Sequence, residues 1–262
     1  MTFRVINILK NVDLIAAEDT RNSIKLLNHF DIHTPMTAYH EFNKVEKAKE
    51  LVEQMLEGKD VAVITDAGTP GISDPGEELV KQARAAGIQV TSVPGACACI
   101  TALTMSGLPT RRFCFEAFLP TDKKECRKVL DELKEETRTI VMYEAPHRLV
   151  KTLQLLLEEL GDRQMTVTKE LTKKHENSYE GTIASHIAYF TANEPKGEYV
   201  LVIRGRSFEE LEEEARGKWD DISLEEHVKM YMDKGMDKKE AMKAAAQDRG
   251  ISKRDVYNAL IG

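Results

Sequence analysis

This chain of 262 residues has few cysteines, few aromatic residues and no long apolar run. The four cysteines have spacings that fit neither a zinc site nor a disulfide scaffold. That pattern excludes a small disulfide-rich domain and favours a reducing compartment. Because there is no run of about 18 apolar residues and no signal peptide, we expect no membrane span. We therefore predict a cytoplasmic protein, and we predict no metal site.

The composition is that of a globular protein, with 42% hydrophobic and 31% charged residues, and the length allows one large or two ordinary domains. A net charge of −7 would argue against a nucleic-acid partner if it were evenly spread, which it is not. Residues 207–222 carry a charge of −5, whereas residues 223–262 carry +1. The acidic charge is concentrated in one segment, so local RNA binding stays open.

Apolar strands alternate with helical patterns over residues 1–115, which predicts βαβ units, a mostly parallel sheet and the α/β fold class. The chain is interpreted as an N-terminal α/β domain (1–115), a hinge (116–122), a second α/β domain (123–206), an acidic linker (207–222) and a three-helix module (223–262). The predicted strands are 13–17, 61–65, 89–93, 139–143, 165–171, 179–183 and 198–203. The predicted helices are 44–56, 77–86, 96–105, 147–160, 224–232, 238–249 and 253–260.

The most informative segment is the loop at residues 65–76, which lies between a predicted strand and a predicted helix and holds three glycines and two prolines. Asp74 is placed to cap the helix, and Pro75 suits its first position. Glycines let main-chain groups approach a ligand closely, and strand ends in open α/β sheets are where ligands bind. A stiff connection without a ligand is the alternative, since one loop motif is a weak signal.

Other loops with polar or glycine-rich sequences also follow predicted strands. Because the carboxyl ends of parallel strands meet at one edge of a sheet, we expect the loops of the first domain to converge there. The segments are Glu18-Asp19-Thr20-Arg21, Val93-Pro94-Gly95-Ala96-Cys97, Tyr143-Glu144-Ala145-Pro146-His147-Arg148 and Lys169-Glu170-Leu171-Thr172-Lys173.

Taken in order and spacing, these loops form a set that covers nearly the whole chain. The segments that carry it are 14–21, 66–76, 93–95, 113–116, 118–120, 143–148, 170–173, 197–201 and 250–257. The set resembles the SAM-dependent tetrapyrrole methylase superfamily and, within it, the bacterial enzymes that methylate a cytidine 2′-oxygen in 16S ribosomal RNA. The resemblance implies two α/β domains of the tetrapyrrole methylase type followed by a small helical module.

The resemblance further implies that SAM lies in the cleft between the two α/β domains. The carboxylate of SAM suits backbone N–H groups, and its ammonium suits carbonyl groups or Asp66. The small ribosomal subunit or its 16S RNA is the implied partner, and a homodimer is implied as well. The residues expected to hold SAM are Asp66, Ala67, Gly68, Thr69, Ile72, Cys97, Ala98, Glu144 and Leu171.

Two positions and the start of the chain depart from the pattern of the family. Cys97 stands where a small hydroxyl residue is common, and Ala117 stands where glycine is common. The family also opens with a strand and a loop, whereas residues 2–9 here already resemble the helix that follows them. We therefore expect a truncated reading frame, an exposed sheet edge and weak activity of the chain as given.

Asp19 is the candidate for the base or the orienting group of a 2′-O-methyl transfer, with Arg21 holding a phosphate or orienting Asp19. A structural ion pair at a strand end explains the two residues equally well. Arg148, Lys253 and Arg254 are the candidates for RNA binding, although charged helix faces are usually only solvated. Two other functions stay open, a tetrapyrrole methyltransferase and a non-catalytic RNA-binding protein.

Overall fold

The computed structural model describes residues 1–261, which form twelve helices and eight strands. The chain divides into two compact units. The first contains residues 1–105 together with 169–177, and the second contains residues 106–168 and the chain from Ser178 onward. No helix within residues 1–261 combines the length and the apolar character needed to cross a bilayer. The domain boundaries drawn from the sequence stay a prediction.

The first unit is built around a three-stranded parallel sheet with the order β2-β1-β3. The central strand is almost continuously apolar because helices cover both of its faces, and Ile15, Ala16 and Ala17 are fully buried. Its elements are α1 (Phe3–Asn11), β1 (Leu14–Ala17), α2 (Thr20–His29), β2 (Met36–Ala38), α3 (Lys44–Leu56), β3 (Val61–Ile64), α4 (Gly76–Ala85) and α5 (Ala98–Met105).

The helical pattern of residues 2–9 is confirmed as α1, which Thr2 caps by accepting a hydrogen bond from the Val5 backbone N–H (3.2 Å). The strand predicted at residues 89–93 is wrong, because residues 88–97 lie outside any helix or strand. Ile88 and Val90 still pack on the core beside the sheet, so the apolar pattern there indicates burial. A strand also needs a neighbouring backbone as hydrogen-bond partner, and the ladder of this sheet ends at β3.

The second unit contains a five-stranded mixed sheet with the order β4-β5-β8-β6-β7. Strand β5 pairs in parallel with β4 and antiparallel with β8. All five residues of β8 are buried, and the sheet packs its apolar side chains against Leu153 and Leu156 of α7. The elements are β4 (Phe113–Phe115), α6 (Lys123–Lys134), β5 (Thr139–Glu144), α7 (Leu149–Leu160), β6 (Gln164–Lys169), β7 (Asn177–Thr182), α8 (Ile183–Ala192) and β8 (Tyr199–Ile203).

The chain ends in four helices, of which the last three confirm the predicted helices of residues 223–262. They are α9 (Phe208–Gly217), α10 (Leu224–Asp233), α11 (Lys238–Asp248) and α12 (Lys253–Ile261). Helix α9 lies within the predicted acidic linker and begins with a capping box formed by Ser207 and Glu210. Helices α10, α11 and α12 share a small core of their own that includes Val228, Ala245 and Val256.

Candidate functional site

The three strands of the first sheet are parallel, so their carboxyl ends lie at one edge. The ladder continues briefly beyond the strands. The Tyr39 N–H donates to the Ala17 carbonyl oxygen (2.8 Å), and the Glu18 N–H donates to the Ile64 carbonyl oxygen (3.3 Å). The loops that follow β1, β2 and β3 are therefore side by side. The sequence predicted this for the loops after the strands at 13–17 and 61–65, which are β1 and β3.

Glu18 links the loops after β1 and β3. Its Oε2 accepts hydrogen bonds from the Thr65 hydroxyl (2.5 Å) and from the Asp66 backbone N–H (3.3 Å). The Asn22 side-chain amide donates to Asp66 Oδ2 (3.3 Å), which adds a second link. The sequence did not single out Glu18 or Asn22. Glu18 follows a strand as Asp19 does, which was a usable signal, whereas Asn22 lies inside α2 and gave none.

Asp19 and Arg21 form a bidentate ion pair at the start of α2. Asp19 Oδ1 accepts from Arg21 Nε–H (3.1 Å), Asp19 Oδ2 accepts from the Arg21 Nη2 group (2.9 Å), and Oδ1 also caps the helix at the Arg21 backbone N–H (2.8 Å). The hydrogen bond from the Arg21 side chain lowers the pKa of Asp19 to about 2 and raises the pKa of Arg21. The Arg21 side chain is 89% exposed, so the guanidinium faces solvent while it holds the carboxylate.

The loop before α4 is closed by one carboxylate. Asp74 accepts hydrogen bonds from the backbone N–H groups of Gly71 (2.9 Å), Ile72 (3.3 Å) and Gly76 (2.8 Å). Helix α4 begins at Gly76, one residue before the predicted start at residue 77, and its N-cap residue is Pro75 where the sequence predicted Asp74. The buried Tyr39 hydroxyl donates to the Pro75 carbonyl oxygen (2.7 Å), which fixes this end of the loop to the segment after β2. The loop shape is thus set by side chains outside its tip.

The other end of the loop contacts the segment that leads into α5. The Thr69 hydroxyl donates to the Ala96 carbonyl oxygen (2.9 Å). Gly68 has a φ of +79°, and a Cβ there would lie 3.3 Å from the same oxygen. A Cβ at Gly95 would lie 3.1 Å from Thr69 Oγ1. A Cβ at either glycine would therefore force the neighbouring oxygen to shift, so glycine at both positions allows this close packing.

The structure brings most of the predicted cofactor residues of the first unit to this edge. Asp66, Ala67, Gly68 and Ile72 are exposed in the loop, Thr69 is half-buried, and Cys97 and Ala98 lie half-buried where α5 begins. Leu171 is 9% exposed and lies between Glu170 and Thr172, both of which have positive φ. Its segment, 169–177, groups with the first unit although the sequence assigned it to the second domain.

Glu144 is buried inside the second unit, and its carboxylate is already engaged. Oε2 accepts from the Thr152 hydroxyl (2.5 Å), Oε1 accepts from the Ala145 backbone N–H (2.8 Å), and Arg148 Nε lies 3.5 Å from Oε1. The Arg148 Nη2 group donates to the Leu119 carbonyl oxygen (2.8 Å). Both side chains therefore hold neighbouring segments of the fold together. Their predicted contacts with SAM and RNA stay predictions.

Lys253 and Arg254 are exposed in the first turn of α12. Ser252 and Asp255 form a reciprocal cap there, in which the Asp255 N–H donates to Ser252 Oγ (3.1 Å) and the Ser252 N–H donates to Asp255 Oδ2 (3.2 Å). Positive charge at a helix N-terminus opposes the helix dipole and is slightly destabilising. The helix thus carries two cations where they do not help its own stability.

Comparison with known proteins gives matches over most of the chain. The model of the family described as Tetrapyrrole (Corrin/Porphyrin) Methylases matches residues 1–186. A Bacillus subtilis (strain 168) protein named Ribosomal RNA small subunit methyltransferase I is 47% identical over 259 residues, which cover 99% of this chain and 88% of that protein. A Synechocystis protein of the same name is 45% identical over 258 residues, covering 98% of this chain and 91% of that protein.

Solved structures show the same fold at low sequence identity. A uroporphyrin-III-C-methyltransferase from Thermus thermophilus has a TM-score of 0.54 at 18% identity and covers 77% of this chain and 87% of its own. A diphthine synthase has a TM-score of 0.59 at 13% identity and covers 81% of this chain and 88% of its own. The predicted α/β fold class is confirmed by these likenesses.

Proposed function

The chain belongs to the tetrapyrrole (corrin/porphyrin) methylase family, as its motifs predicted, and from this we propose that it transfers a methyl group from SAM to a cytidine 2′-oxygen in small-subunit ribosomal RNA. The observation that carries the proposal is the 47% identity over 99% of the chain with a protein named as a small-subunit ribosomal RNA methyltransferase. The choice of the 2′-oxygen and of cytidine rests on the motif resemblance. A homodimer and a cytoplasmic location are part of the same proposal.

The glycine-rich edge of the first sheet fits the amino-acid part of SAM. Gly68 and Gly95 leave room for backbone groups that a Cβ would cover. The exposed Asp66 carboxylate suits an ammonium group, and the loop N–H groups that Asp74 leaves free suit a carboxylate. SAM supplies an activated methyl group on its sulfonium. The set that would hold it in the first unit is completed by Ala67, Thr69, Ile72, Cys97, Ala98 and Leu171.

Asp19 and Arg21 act in this proposal by orienting the attacking ribose. A carboxylate with a pKa of about 2 is a weak base, so proton removal is not its main contribution. Its position is fixed by three hydrogen bonds from Arg21, and correct alignment alone contributes several kcal/mol to such a displacement. Of the two roles that the sequence left open for Asp19, the ion pair favours the orienting one.

We expect the replacement of Gly68 by alanine to weaken SAM binding by about tenfold, because a Cβ there is both strained and too close to Ala96. Titration calorimetry of SAM measures this. Gly58→Ala is the matched control: Gly58 also has a positive φ of +99°, but a Cβ there meets nothing within 4 Å. Gly58→Ala thus introduces the backbone strain of a Cβ at positive φ without the close contact, and an equal loss of SAM affinity in both variants would contradict the role of the loop.

The helical module supports the RNA part of the proposal through Lys253 and Arg254. Replacing both by glutamine should weaken RNA binding and reduce the slope of log K against log salt by about 0.7 to 0.9 per lost phosphate contact. The control replaces Lys49 and Lys59, two exposed lysines of the first unit, by glutamine. If the salt slope is the same for both double variants, Lys253 and Arg254 do not contact phosphate.

The direct test is incubation of the chain with methyl-labelled SAM and small ribosomal subunits lacking the modification. Label in the RNA, resistant to alkaline cleavage at one cytidine, is the expected result. A parallel incubation replaces the subunits by a tetrapyrrole, and label transferred only there would replace the proposal with the small-molecule alternative. SAM binding without transfer to either would leave the family assignment intact and remove the proposed substrate.

A further inference from the structure

The second unit exposes an aromatic side chain at the end of its sheet. Phe118 follows β4, lies at the edge where the parallel strands β4 and β5 both end, and is 47% exposed. Its ring makes a T-shaped contact with Tyr143 of β5, with centroids 5.7 Å apart, and Tyr143 makes a similar contact with Phe115 at 4.9 Å. Phe118 is therefore the exposed member of a small aromatic cluster.

The backbone on both sides of Phe118 is fixed. Before it, the Glu116 N–H donates to the Val141 carbonyl oxygen (3.0 Å), and the Tyr143 N–H donates to the Ala117 carbonyl oxygen (2.7 Å). After it, Leu119 is buried in the core, and its carbonyl oxygen accepts from Arg148. Phe118 cannot turn inward without breaking these contacts, so its exposure is built into the fold.

Ala117 makes the turn that presents this ring. Its φ is +49°, a conformation that a residue with a Cβ rarely adopts. It lies between Glu116, whose N–H bonds to the ladder, and the segment that leads to Leu119 in the core. A strained backbone of this kind persists only where the surroundings enforce it, and here it separates the Phe118 ring from the apolar core.

Positive charge lies beside the ring in the sequence. Lys123 and Lys124 are exposed at the start of α6, and neither is in an ion pair within the described part of the chain. Both lie in the first turn of α6, where positive charge opposes the helix dipole, so they do not stabilise the helix through that dipole. Exposed aromatic rings next to unpaired cations are the combination that binds single-stranded nucleic acid, by base stacking and phosphate neutralisation.

We propose that Phe118 is a stacking platform for an unpaired base of the RNA substrate, with Lys123 and Lys124 neutralising the adjoining phosphates. This rests on the proposed function for the identity of the substrate. Arg148 then also acts as a positioning residue, because it holds the Leu119 end of this segment through the Leu119 carbonyl oxygen. Single-stranded targets are favoured over duplexes because the faces of a base inside a duplex are already covered by the neighbouring base pairs.

The test measures binding of a fluorescein-labelled, unstructured RNA of about 12 nucleotides, rich in cytidine. Phe118→Ala should weaken binding roughly 5- to 150-fold, the range expected for the loss of one base–aromatic stack. Phe118→Trp should bind at least as tightly as the unmodified chain. The matched control is Phe208→Ala, since Phe208 is another exposed phenylalanine of the same unit (66%) and should leave binding unchanged.

Several results would overturn the inference. If Phe118→Ala binds RNA unchanged, or if the alanine and tryptophan variants lose RNA affinity equally, the Phe118 ring does not stack on a base. Loss of a dimer in gel filtration by Phe118→Ala, with RNA binding of each chain intact, would assign the ring to a second copy of the protein. An unchanged salt slope after replacing Lys123 and Lys124 by glutamine would remove the phosphate contacts.

Methyl transfer separates the inference from the proposed function. If the unmodified chain methylates small subunits, Phe118→Ala should raise KM for RNA with little change in kcat or in the SAM dissociation constant. If the unmodified chain transfers no methyl group but Phe118→Ala still weakens RNA binding, the proposed function fails while the stacking platform stands.

Discussion

Replacing Asp19 by asparagine should reduce methyl transfer to small-subunit RNA by at least roughly 100-fold while leaving the SAM dissociation constant unchanged. Asparagine can still cap α2 but cannot form the bidentate pair with Arg21, so the group that orients the ribose is lost. Single-turnover rates with methyl-labelled SAM measure the first effect, and titration calorimetry measures the second. An active variant would remove Asp19 from the mechanism.

The matched control for this change is Asp31→Asn. Asp31 is another exposed carboxylate of the first unit that pairs with a basic side chain two residues further on, at 2.8 Å from His33 Nε2. It lies before β2, at the opposite edge of the sheet, so its loss should not affect transfer. If both variants lose activity equally, the effect of Asp19→Asn comes from net charge.

The pH dependence follows from the same pair. The pKa of Asp19 is lowered from 3.8 to about 2 in the folded chain, so the carboxylate is already ionised at pH 3.8. Its ion pair with Arg21 is lost only as the pH falls through about 2. Asp19 should therefore produce no inflection in the rate between about pH 5 and pH 9. An inflection in that range that disappears in Asp19→Asn would restore Asp19 as a general base.

Replacing Glu144 by alanine should lower the free energy of unfolding by about 2 to 4 kcal/mol. The carboxylate is fully buried, and its removal leaves the Thr152 hydroxyl and the Ala145 N–H without their acceptor. It also removes the anion beside the partly exposed Arg148 guanidinium. Urea unfolding followed by circular dichroism should show an earlier transition. Glu144→Gln should lose less, since one carbonyl oxygen can still accept.

Glu158→Ala is the control for Glu144, because Glu158 lies on α7 of the same unit with an exposed side chain. Its replacement should change the unfolding free energy by less than about 0.5 kcal/mol. If Glu144→Ala instead unfolds normally and fails to bind SAM, then Glu144 is a cofactor ligand, as the motif resemblance implied. Normal SAM affinity in the folded fraction would leave Glu144 a structural residue.

Local patterns were enough to predict most of the elements and one face of the site. The apolar runs of β1, β3 and β8 are continuous because these strands are covered on both sides, and such burial is visible in composition alone. Loops after parallel strands share an edge whatever the packing, so Asp19, Arg21 and the loop at residues 65–76 could be grouped in advance. The last three helices could also be predicted, from their capping residues and the helical spacing of their apolar residues.

Features that depend on a partner elsewhere in the chain could not be predicted from the sequence. Residues 89–93 have a strand-like pattern but no neighbouring backbone to pair with, and pairing is a property of the sheet. The sequence predicts a surface cation at Arg148, but in the structure its guanidinium pairs with Glu144 and donates to the Leu119 carbonyl oxygen. Nothing in the sequence separates Glu18 from the other residues of its loop; its role is visible only in the structure, where it accepts a hydrogen bond from the Thr65 hydroxyl.

The sequence by itself thus determined the family, most of the elements and the edge that carries the candidate site, since each rests on periodicity or on contiguous motifs. Tertiary structure alone decided what each charged side chain does, because a carboxylate or guanidinium takes its role from the group it meets. It also decided that Phe118 is exposed: the ladder before it and the core after it leave the ring no other position.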